Sequence, residues 1–165
     1  MPTILVHERI GKEVNRMVIE AELIAKKCKA GQFIILRLDE NGERIPLTIA
    51  DSNAEAGTIT LIYQSVGKTT EQMAQLEVGE SILDVVGPLG KPTHIEKFGT
   101  VICVAGGIGK APMFPIASAL KKAGNHVVSI VGARGKDLVI LEEELRVVSD
   151  ELIVCTDDGS HGRKA

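Results

Sequence analysis

Short runs of alternating apolar and polar residues, separated by turn-forming residues, make up the first part of the chain. Alternation with a period of two is typical of strands that are buried on one face. The pattern predicts six strands, at residues 3–8, 13–20, 32–38, 44–50, 58–66 and 81–86, with short helical turns at 21–27 and 68–76. Six short strands joined by turns indicate a small antiparallel barrel.

Two connections in this part have distinctive compositions. Asn41 and Gly42 both tolerate positive φ, so we expect a type I′ hairpin between the third and fourth strands. A polar loop is expected at residues 51–57, between the fourth and fifth strands.

After residue 90 the pattern changes to apolar strands that alternate with helical segments. Uniformly apolar runs at 101–105, 127–131 and 152–156 predict strands buried on both faces, with helices between them at 112–123 and 138–148. This order indicates a parallel α/β sheet with right-handed crossovers. The crossovers would place the second and third strands successively on one side of the first, whose other edge would lack a strand partner. We therefore expect two domains, residues 1–95 and 96–165.

A glycine cluster follows the first parallel strand. Gly107 and Gly109 allow a sharp turn and the close approach of a ligand, and Pro112 suits the first turn of a helix. The helix N-terminus would offer free N–H groups to a phosphate, although a tight turn without a ligand has the same pattern. The dinucleotide fingerprint is not met, because Pro112 stands at its last glycine. A P-loop is not met either, because Ala111 rather than Ser or Thr follows Lys110.

Two stretches of the barrel could also bind a ligand. Arg44 could pair with a phosphate and Thr48 could hydrogen-bond a ring heteroatom, but an exposed strand arginine beside an ordinary β-branched residue has the same pattern. At residues 66–70, Thr69 or Thr70 could cap the short helix, or the free amides there could hold a pyrophosphate.

Loops at 132–137 and 156–160 follow the second and third parallel strands. Either loop alone could be a solvated connection. Together with residues 106–109 they would meet at the carboxyl edge of the sheet, where ligands bind in open α/β folds. This convergence favours a binding site.

Composition narrows the function classes. The chain has 165 residues, a net charge of −3, three Phe, one Tyr and no Trp, which argues against a nucleic-acid-binding surface. No apolar run is long enough to span a bilayer and no signal peptide is recognisable, so we expect a soluble, cytoplasmic protein without a membrane partner. Cys28, Cys103 and Cys155 are widely spaced, which predicts no metal or iron–sulfur cluster ligated by this chain.

Six motifs in a fixed order resemble those of the ferredoxin–NADP reductase superfamily. They are Arg-x-Pro-Leu-Thr at 44–48, Gly-Lys-x-Thr at 67–70, Gly-Pro-Leu-Gly at 87–90, Gly-Gly-x-Gly-x-Ala-Pro at 106–112, Gly-Ala-Arg at 132–134 and Thr-Asp-Asp-Gly-Ser at 156–160. The chain is most similar to the branch that holds the dihydroorotate dehydrogenase electron-transfer subunit and the flavin subunit of NADH-dependent ferredoxin:NADP oxidoreductase, or sulfide dehydrogenase. The resemblance implies a six-stranded antiparallel Greek-key barrel that binds FAD, followed by a partial parallel α/β domain that binds NAD(P)H.

The resemblance also implies roles for individual residues. Arg44 would bind the FAD phosphate, and Thr48, near flavin N5, would stand at the reacting atoms. The other flavin positions would be Pro46 and Leu47 along the isoalloxazine, Ile62 and Tyr63 flanking it, and Gly67, Lys68, Thr69 and Thr70 at the pyrophosphate. The nicotinamide nucleotide would contact Gly106, Gly107, Ile108, Gly109, Ala111 and Pro112, with Gly132, Ala133, Arg134, Asp157 and Asp158 beside its ribose and adenine.

Two departures from the family pattern stand out. Leu47 occupies the position at which many relatives place a stacking tyrosine. Relatives also continue beyond the position of Ala165, with two more parallel strands and a cysteine cluster that binds iron and sulfide. The resemblance therefore covers the flavin domain and about half of the nucleotide domain.

The function implied by the resemblance is that of an FAD-dependent NAD(P)H oxidoreductase subunit. A hydride would pass between the nucleotide and the flavin, and single electrons would pass to or from an iron–sulfur centre or ferredoxin on a partner. The uncovered sheet edge adds the expectation of an oligomer. A non-catalytic flavin- or nucleotide-binding or interaction module remains the alternative.

Overall fold

The computed structural model describes all residues from Met1 to Ala165, and the chain divides into two compact units, residues 1–92 and 93–165. The first unit contains strands β1 (Ile4–Gly11), β2 (Val14–Glu20), β3 (Phe33–Arg37), β4 (Ile45–Asn53), β5 (Thr58–Gln64) and β6 (Asp84–Leu89), with helices α1 (Glu22–Lys27) and α2 (Lys68–Met73). None of the helices in either unit combines the length and apolar character needed to cross a bilayer.

The six strands form one antiparallel sheet in the order β1-β2-β5-β4-β3-β6. Strands β3, β4 and β5 are consecutive neighbours and β2 returns to lie beside β5, which is the Greek-key arrangement. The two outer strands approach each other where the N–H of Ile4 donates to the carbonyl of Glu80 (2.8 Å) and the N–H of Ile82 donates to that of Pro2 (2.9 Å). The predicted antiparallel Greek-key barrel is confirmed.

Alternation along the strands sorts the side chains between the barrel core and its outer face. The inward residues are fully buried and include Met17, Ile34, Leu36, Ile59 and Leu61. Each is separated by one residue from the next inward position of its strand, so the residues between them point outwards. The outward residues of β3 and β4 are therefore available to a ligand.

Several predicted boundaries in the barrel are wrong. Asn41 and Gly42 do not form a type I′ turn, since neither has positive φ. Instead the side chain of Asp39 accepts the N–H of Asn41 and its carbonyl accepts the N–H of Gly42, which stabilises a turn led by aspartate. Strand β4 continues to Asn53, beyond its predicted end, because residues 51–53 pair with β5. Strand β6 begins later than predicted and includes Pro88, which is tolerated because β6 is an edge strand of the sheet.

The second unit contains strands β7 (Thr100–Gly106), β8 (His126–Ala133), β9 (Glu151–Thr156) and β10 (Arg163–Lys164), with helices α3 (Lys110–Lys122) and α4 (Glu142–Val148). Its four strands are parallel, in the order β10-β9-β8-β7. The predicted parallel sheet is confirmed, and β7 lies at its edge with β8 and β9 successively on one side.

One face of this sheet is covered by helices and the other is not. Helix α3 contacts β7, β8 and α4, and α4 contacts β9, so both helices lie on the same face. On the opposite face Ile102 and Val104 of β7 are 64% and 70% exposed. The edge strand therefore presents apolar side chains to solvent.

The predicted helix at 138–148 is shorter than expected. A turn of 3₁₀ helix spans Lys136–Leu138, and α4 begins only at Glu142. Leu141 has φ of 58°, a left-handed conformation that interrupts a right-handed helix.

Asn125 joins the chain that enters the second unit to the end of α3. Its side-chain N–H groups donate to the carbonyls of Glu96 and Leu120, both at 2.9 Å. Its side-chain oxygen accepts the N–H groups of Phe98 (2.7 Å) and Gly99 (3.0 Å). With every polar group paired, Asn125 is only 3% exposed and fixes the approach to β7.

Candidate functional site

The outer face of β4, β3 and β6 carries a continuous set of exposed and half-buried side chains. The strand register places Thr48, Phe33 and Leu89 in one row across the three strands, and Pro46, Ile35 and Val86 in the next. We call these six residues the apolar rows. Val86 is 45% exposed, so the rows present apolar surface to solvent. Such a surface suits a flat aromatic ring.

Two arginines and one aspartate lie at one end of the apolar rows. Arg37 of β3 stands opposite Asp84 of β6, and the guanidinium of Arg44 donates to the carboxylate of Asp84 at 2.8 Å. The Nε atom of Arg37 is buried and has no hydrogen-bond partner. We call Arg37, Arg44 and Asp84 the arginine end. Two guanidinium groups against one carboxylate leave a net positive charge, which favours an anion.

The structure separates the sequence-predicted flavin residues between two faces of the barrel. Pro46 and Thr48 are spaced by two and share the outer face, and Arg44, just before β4, reaches Asp84 at the end of that face. Leu47, one residue out of step, packs against the core cluster. The side chain of Leu47 therefore does not lie on the surface that Pro46 and Thr48 share. This differs from the expectation that all three residues line the flavin.

Tyr63 also points inwards, whereas its neighbour Ile62 stands on the opposite face beside Arg16 of β2. The Tyr63 side chain is 1% exposed, and its burial raises the pKa of the phenol. The Tyr63 hydroxyl lies 2.9 Å from Nε2 of His7, whose Nδ1 lies 2.7 Å from the carbonyl of Leu76. Because a carbonyl only accepts, Nδ1 of His7 donates the hydrogen bond to Leu76. Only the main chain of Tyr63 can contribute to a surface site.

The start of α2 has fewer free amides than the sequence implied. The hydroxyl of Thr70 accepts the N–H groups of Val66 and Gly67, both at 3.1 Å, and donates to the carbonyl of Gly67. Gly67 is therefore the N-cap of this helix, and Thr70, at the third helical position, bonds back to its N–H as in a capping box. Thr69 is 7% exposed and its hydroxyl donates to Glu43 at 3.3 Å. The main-chain N–H groups of Lys68, Thr69 and Thr70 are those left for an anion.

A small cavity adjoins this helix start. It has a volume of about 190 Å³ and is lined by Asp39, Asn41, Gly42, Glu43, Lys68, Thr69 and Gln72. Hydrogen bonds from the Gln72 side chain and then from the main chain of Asn41 hold the pKa of the Asp39 carboxyl below its usual value. The cavity is therefore negatively charged apart from Lys68, unlike the arginine end.

In the second unit the three glycine-bearing loops meet at the carboxyl edge of the sheet, as predicted. The loop after β8 is joined to the loop after β9, because the carbonyl of Ala133 accepts the N–H of Asp157 (3.1 Å) and that of Arg134 accepts the N–H of Asp158 (3.3 Å). The main-chain N–H of Lys136 donates to the hydroxyl of Ser160 at 2.8 Å. These bonds hold the two loops side by side, with the Arg134 side chain exposed.

The predicted nucleotide residues of the first loop fall at the end of β7 and the start of α3. Gly106 ends the strand, Gly107–Gly109 form a 3₁₀ turn, and Gly107 has φ of 54°. Nothing lies within 4 Å of a Cβ built on Gly106, Gly107 or Gly132, so the surface above these backbones is open. Ala111 is buried at 2% exposure and Pro112 lies in the first turn of α3. Ala111 therefore packs below the loop instead of facing a ligand.

Asp158 is held by its own loop. The Ser160 hydroxyl and then the Ser160 N–H donate to its carboxylate, and these hydrogen bonds keep the pKa of Asp158 below its usual value. A Cβ on Gly135 would lie 2.8 Å from the same carboxylate, so only glycine permits this approach. Asp157 has no comparable contact and is exposed.

Lys110 is a residue of this edge that the sequence did not assign. Its side chain is fully buried, and Nζ donates to the carbonyls of Gly132 (2.9 Å) and Gly107 (3.3 Å). It thereby joins the first loop to the second. Burial lowers the pKa of the Lys110 ammonium.

The residues of β3 and β6 in the apolar rows and the arginine end were also missed. A signal was present in the sequence, because Phe33, Ile35 and Arg37 alternate with the core residues Ile34 and Leu36. Strand alternation alone assigns them to the outer face. The pairing of β6 with β3 could not be predicted, because no local sequence pattern indicates which strands are neighbours.

The cysteines lie apart. Cys103 of β7 aligns with buried Ser129 on the helix-covered face, whereas Cys155 aligns with Gly132 and belongs to the other face. Cys28 belongs to the first unit. No group of three His, Cys, Asp or Glu side chains is arranged to hold a metal ion.

Comparison with known proteins identifies relatives of this arrangement. No family model matches the chain. It is 47% identical over 156 residues to the dihydroorotate dehydrogenase B (NAD+) electron transfer subunit homolog of Thermotoga maritima, covering 94% of this chain and 55% of that protein. It is 35% identical over 167 residues to the dihydroorotate dehydrogenase B (NAD+) electron transfer subunit of Streptococcus mutans, covering 98% of this chain and 64% of that protein.

A solved structure of NADH-dependent reduced ferredoxin–NADP oxidoreductase superposes with a TM-score of 0.95 and 42% identity, covering 99% of this chain and 59% of that one. The chain thus spans between about half and two thirds of the length of these relatives. Both sequence and fold agree with the resemblance carried by the six motifs. The chain therefore belongs to the ferredoxin–NADP reductase superfamily, on the branch of the dihydroorotate dehydrogenase B electron transfer subunits and the NADH-dependent reduced ferredoxin–NADP oxidoreductase.

Proposed function

We propose that the chain is the flavin- and nucleotide-binding part of an electron-transfer subunit that exchanges a hydride between NAD(P)H and FAD. The observation that carries this proposal is the outer face of β4, β3 and β6, where the apolar rows run up to the arginine end. An apolar surface with two guanidinium groups at one end fits a ligand that has a flat ring at one end and phosphates at the other.

The dimensions of this face suit FAD. Arg44 immediately precedes β4 and Thr48 lies within it, four residues further along the chain, a span of at most about 13 Å. Thr48 would hydrogen-bond the ring with its hydroxyl, while Pro46, Ile35 and Val86 would exclude water from it. Bound FAD would supply the redox chemistry, taking up a hydride and releasing electrons singly.

The arginine end would hold the phosphates. The Nε atom of Arg37, buried without a partner, gains an acceptor if a phosphate oxygen lies beside it, which removes the cost of an unpaired donor. Arg44 would exchange the carboxylate of Asp84 for a phosphate oxygen. The free main-chain N–H groups at the start of α2 could complete the pyrophosphate contacts.

The nicotinamide nucleotide would bind at the carboxyl edge of the second unit. The open backbone at Gly106, Gly107 and Gly132 allows the diphosphate to approach closely, and α3, with thirteen residues, directs its N-terminus to this edge. The exposed Arg134 would face the ribose and adenine end. This arrangement is consistent with either NADH or NADPH.

The remaining parts of the proposal concern partners and location. Electrons would pass to or from an iron–sulfur or catalytic partner subunit, or ferredoxin, in a cytoplasmic oligomer. An electron-transfer partner is supported by the names of the relatives, two of which are electron transfer subunits and one a ferredoxin–NADP oxidoreductase. This chain would ligate no iron–sulfur cluster itself. The scattered positions of Cys28, Cys103 and Cys155 support that view.

The test is to titrate the purified protein with FAD and then to add NADH or NADPH without oxygen. We expect FAD to bind and its visible absorption to bleach with at least one nucleotide. Arg44→Ala should weaken FAD binding, whereas Arg146→Ala should not, because Arg146 pairs with Glu142 at 2.9 Å within helix α4 of the second unit. Bound flavin that neither nucleotide reduces would favour a non-catalytic module, and failure to bind FAD would refute the proposal.

A further inference from the structure

Lys110 is a buried charge for which the fold provides no neutralising group. Its side chain has 0% exposure, and none of the ion pairs of the structure includes it. Its two hydrogen-bond partners, the carbonyls of Gly107 and Gly132, are uncharged. An ammonium group has three N–H donors, so one donor remains for another acceptor.

The position is unfavourable for a positive charge in a second way. Lys110 is the first residue of α3, where the helix dipole is positive. Burial disfavours the charged form as well, and it lowers the pKa of this ammonium. An apolar side chain of similar length would fill the same space without either cost, so packing does not account for a lysine here.

The location connects this charge to the proposed nucleotide site. In a helix the side chain leans towards the N-terminus, which directs Lys110 towards the loops at the carboxyl edge. Its two carbonyl partners belong to Gly107, which follows β7, and to Gly132, the last residue but one of β8, and the space above both glycines is open. The carboxylate of Asp158, from the neighbouring loop, is already bonded to Ser160.

We propose that Lys110 is a positioning residue for the dinucleotide, which holds the first two loops together and supplies from below the positive charge that the diphosphate neutralises. This inference rests on the proposed function. It adds that dinucleotide binding requires Lys110 and its positive charge. An anion bound over the loops would lie close to a charge screened little by water, so the attraction is stronger than that of a surface lysine.

The test compares three variants of the protein with bound FAD. Lys110→Gln keeps a hydrogen-bond donor and removes the charge, Lys110→Met removes both, and Lys122→Gln makes the same charge change at the exposed far end of α3. The affinities for ADP-ribose and for adenosine are measured by competition with the better-bound nicotinamide nucleotide. ADP-ribose carries the diphosphate, whereas adenosine does not.

We expect Lys110→Gln to weaken ADP-ribose and dinucleotide binding by about ten- to a hundredfold, the loss typical of one charged contact. Adenosine affinity, FAD affinity and the unfolding temperature should be unchanged, and Lys122→Gln should bind all ligands as the unsubstituted protein does. Lys110→Met should lose at least as much ADP-ribose affinity, because the two carbonyls also lose their donor.

Two results would overturn the inference while leaving the proposed function intact. One is unchanged ADP-ribose binding in Lys110→Gln; the other is an equal loss for adenosine and ADP-ribose, which would mean that Lys110 only shapes the loops. If the unsubstituted protein binds FAD but no dinucleotide, the nucleotide part of the proposed function fails and the inference fails with it.

Discussion

Replacing Asp84 with asparagine should tighten FAD binding, because this carboxylate competes with the phosphate for Arg44. The Arg44–Asp84 pair has good geometry at 2.8 Å, but the two side chains are 52% and 33% exposed. A pair of this exposure is worth about 0.2–1 kcal/mol. Releasing Arg44 from it should therefore increase FAD affinity by no more than about fivefold.

Arg44→Ala should act in the opposite direction and more strongly. A charge-assisted hydrogen bond to a phosphate contributes about 1.5–3 kcal/mol, so affinity should fall by about ten- to a hundredfold. In the double variant, Asp84→Asn should no longer raise FAD affinity by releasing Arg44, because Arg44 is absent. Any change in FAD affinity that Asp84→Asn still causes in the double variant would then be due to Arg37, which stands opposite Asp84.

The assay is a calorimetric FAD titration of the four proteins at low and moderate salt. The gain from Asp84→Asn should shrink as salt rises, because an exposed ion pair is screened. Weaker FAD binding in Asp84→Asn would refute the reasoning, since it would mean that the carboxylate orients Arg44 for the phosphate instead of competing with it. An equal gain with and without Arg44 would refute it as well.

Three further predictions concern the second unit. Asn125→Ala should destabilise this unit by about 2–4 kcal/mol in denaturant unfolding, because it leaves buried donors and acceptors without partners; an unchanged midpoint would contradict this. Ile102→Lys with Val104→Lys should reduce self-association in sedimentation at high concentration without changing FAD binding, since charge protects an exposed edge strand; self-association that persists would mean that another surface carries it. Hydrogen bonds from Lys121 and then from the main chain of Val127 lower the pKa of Asp150 below its ordinary value of 3.8. The stabilisation by Asp150 should therefore be complete above that value and be lost as pH falls through the lower folded pKa, and the unfolding temperature of Asp150→Asn should lack this part of the acid dependence.

The parts of the fold that sequence could predict are those set by periodicity and chain order. Uniformly apolar runs that alternate with helices require a parallel sheet, and a parallel sheet brings its loops to one edge, so the meeting of the glycine loops followed directly. The family motifs added the prediction of a flavin site in the first unit and a nucleotide site in the second. The turn at Asn41 and Gly42 was mispredicted because the side chain of Asp39 offers the backbone an alternative bond that outweighs the local preference for a type I′ turn.

The unpredicted parts of the site depend on contacts between distant residues. Arg44 meets Asp84 forty positions later, and Lys110 meets Gly132 twenty-two positions later. The local sequence pattern around these residues does not indicate either pairing. Leu47 and Tyr63 were a different case, because alternation with their core neighbours already assigned both side chains to the interior, and the family motif gave no information about side-chain direction.

Tyr63 gives the first unit an optical label that the second unit lacks. It is the single tyrosine of a chain without tryptophan, and its ring is enclosed in the barrel core with its hydroxyl beside His7. All tyrosine fluorescence therefore originates in the barrel, whereas helix content measured by circular dichroism comes mainly from the longer helices of the second unit. Unfolding of the first unit can thus be followed by itself in the unmodified protein, and a transition seen by circular dichroism but not by tyrosine fluorescence belongs to the second unit.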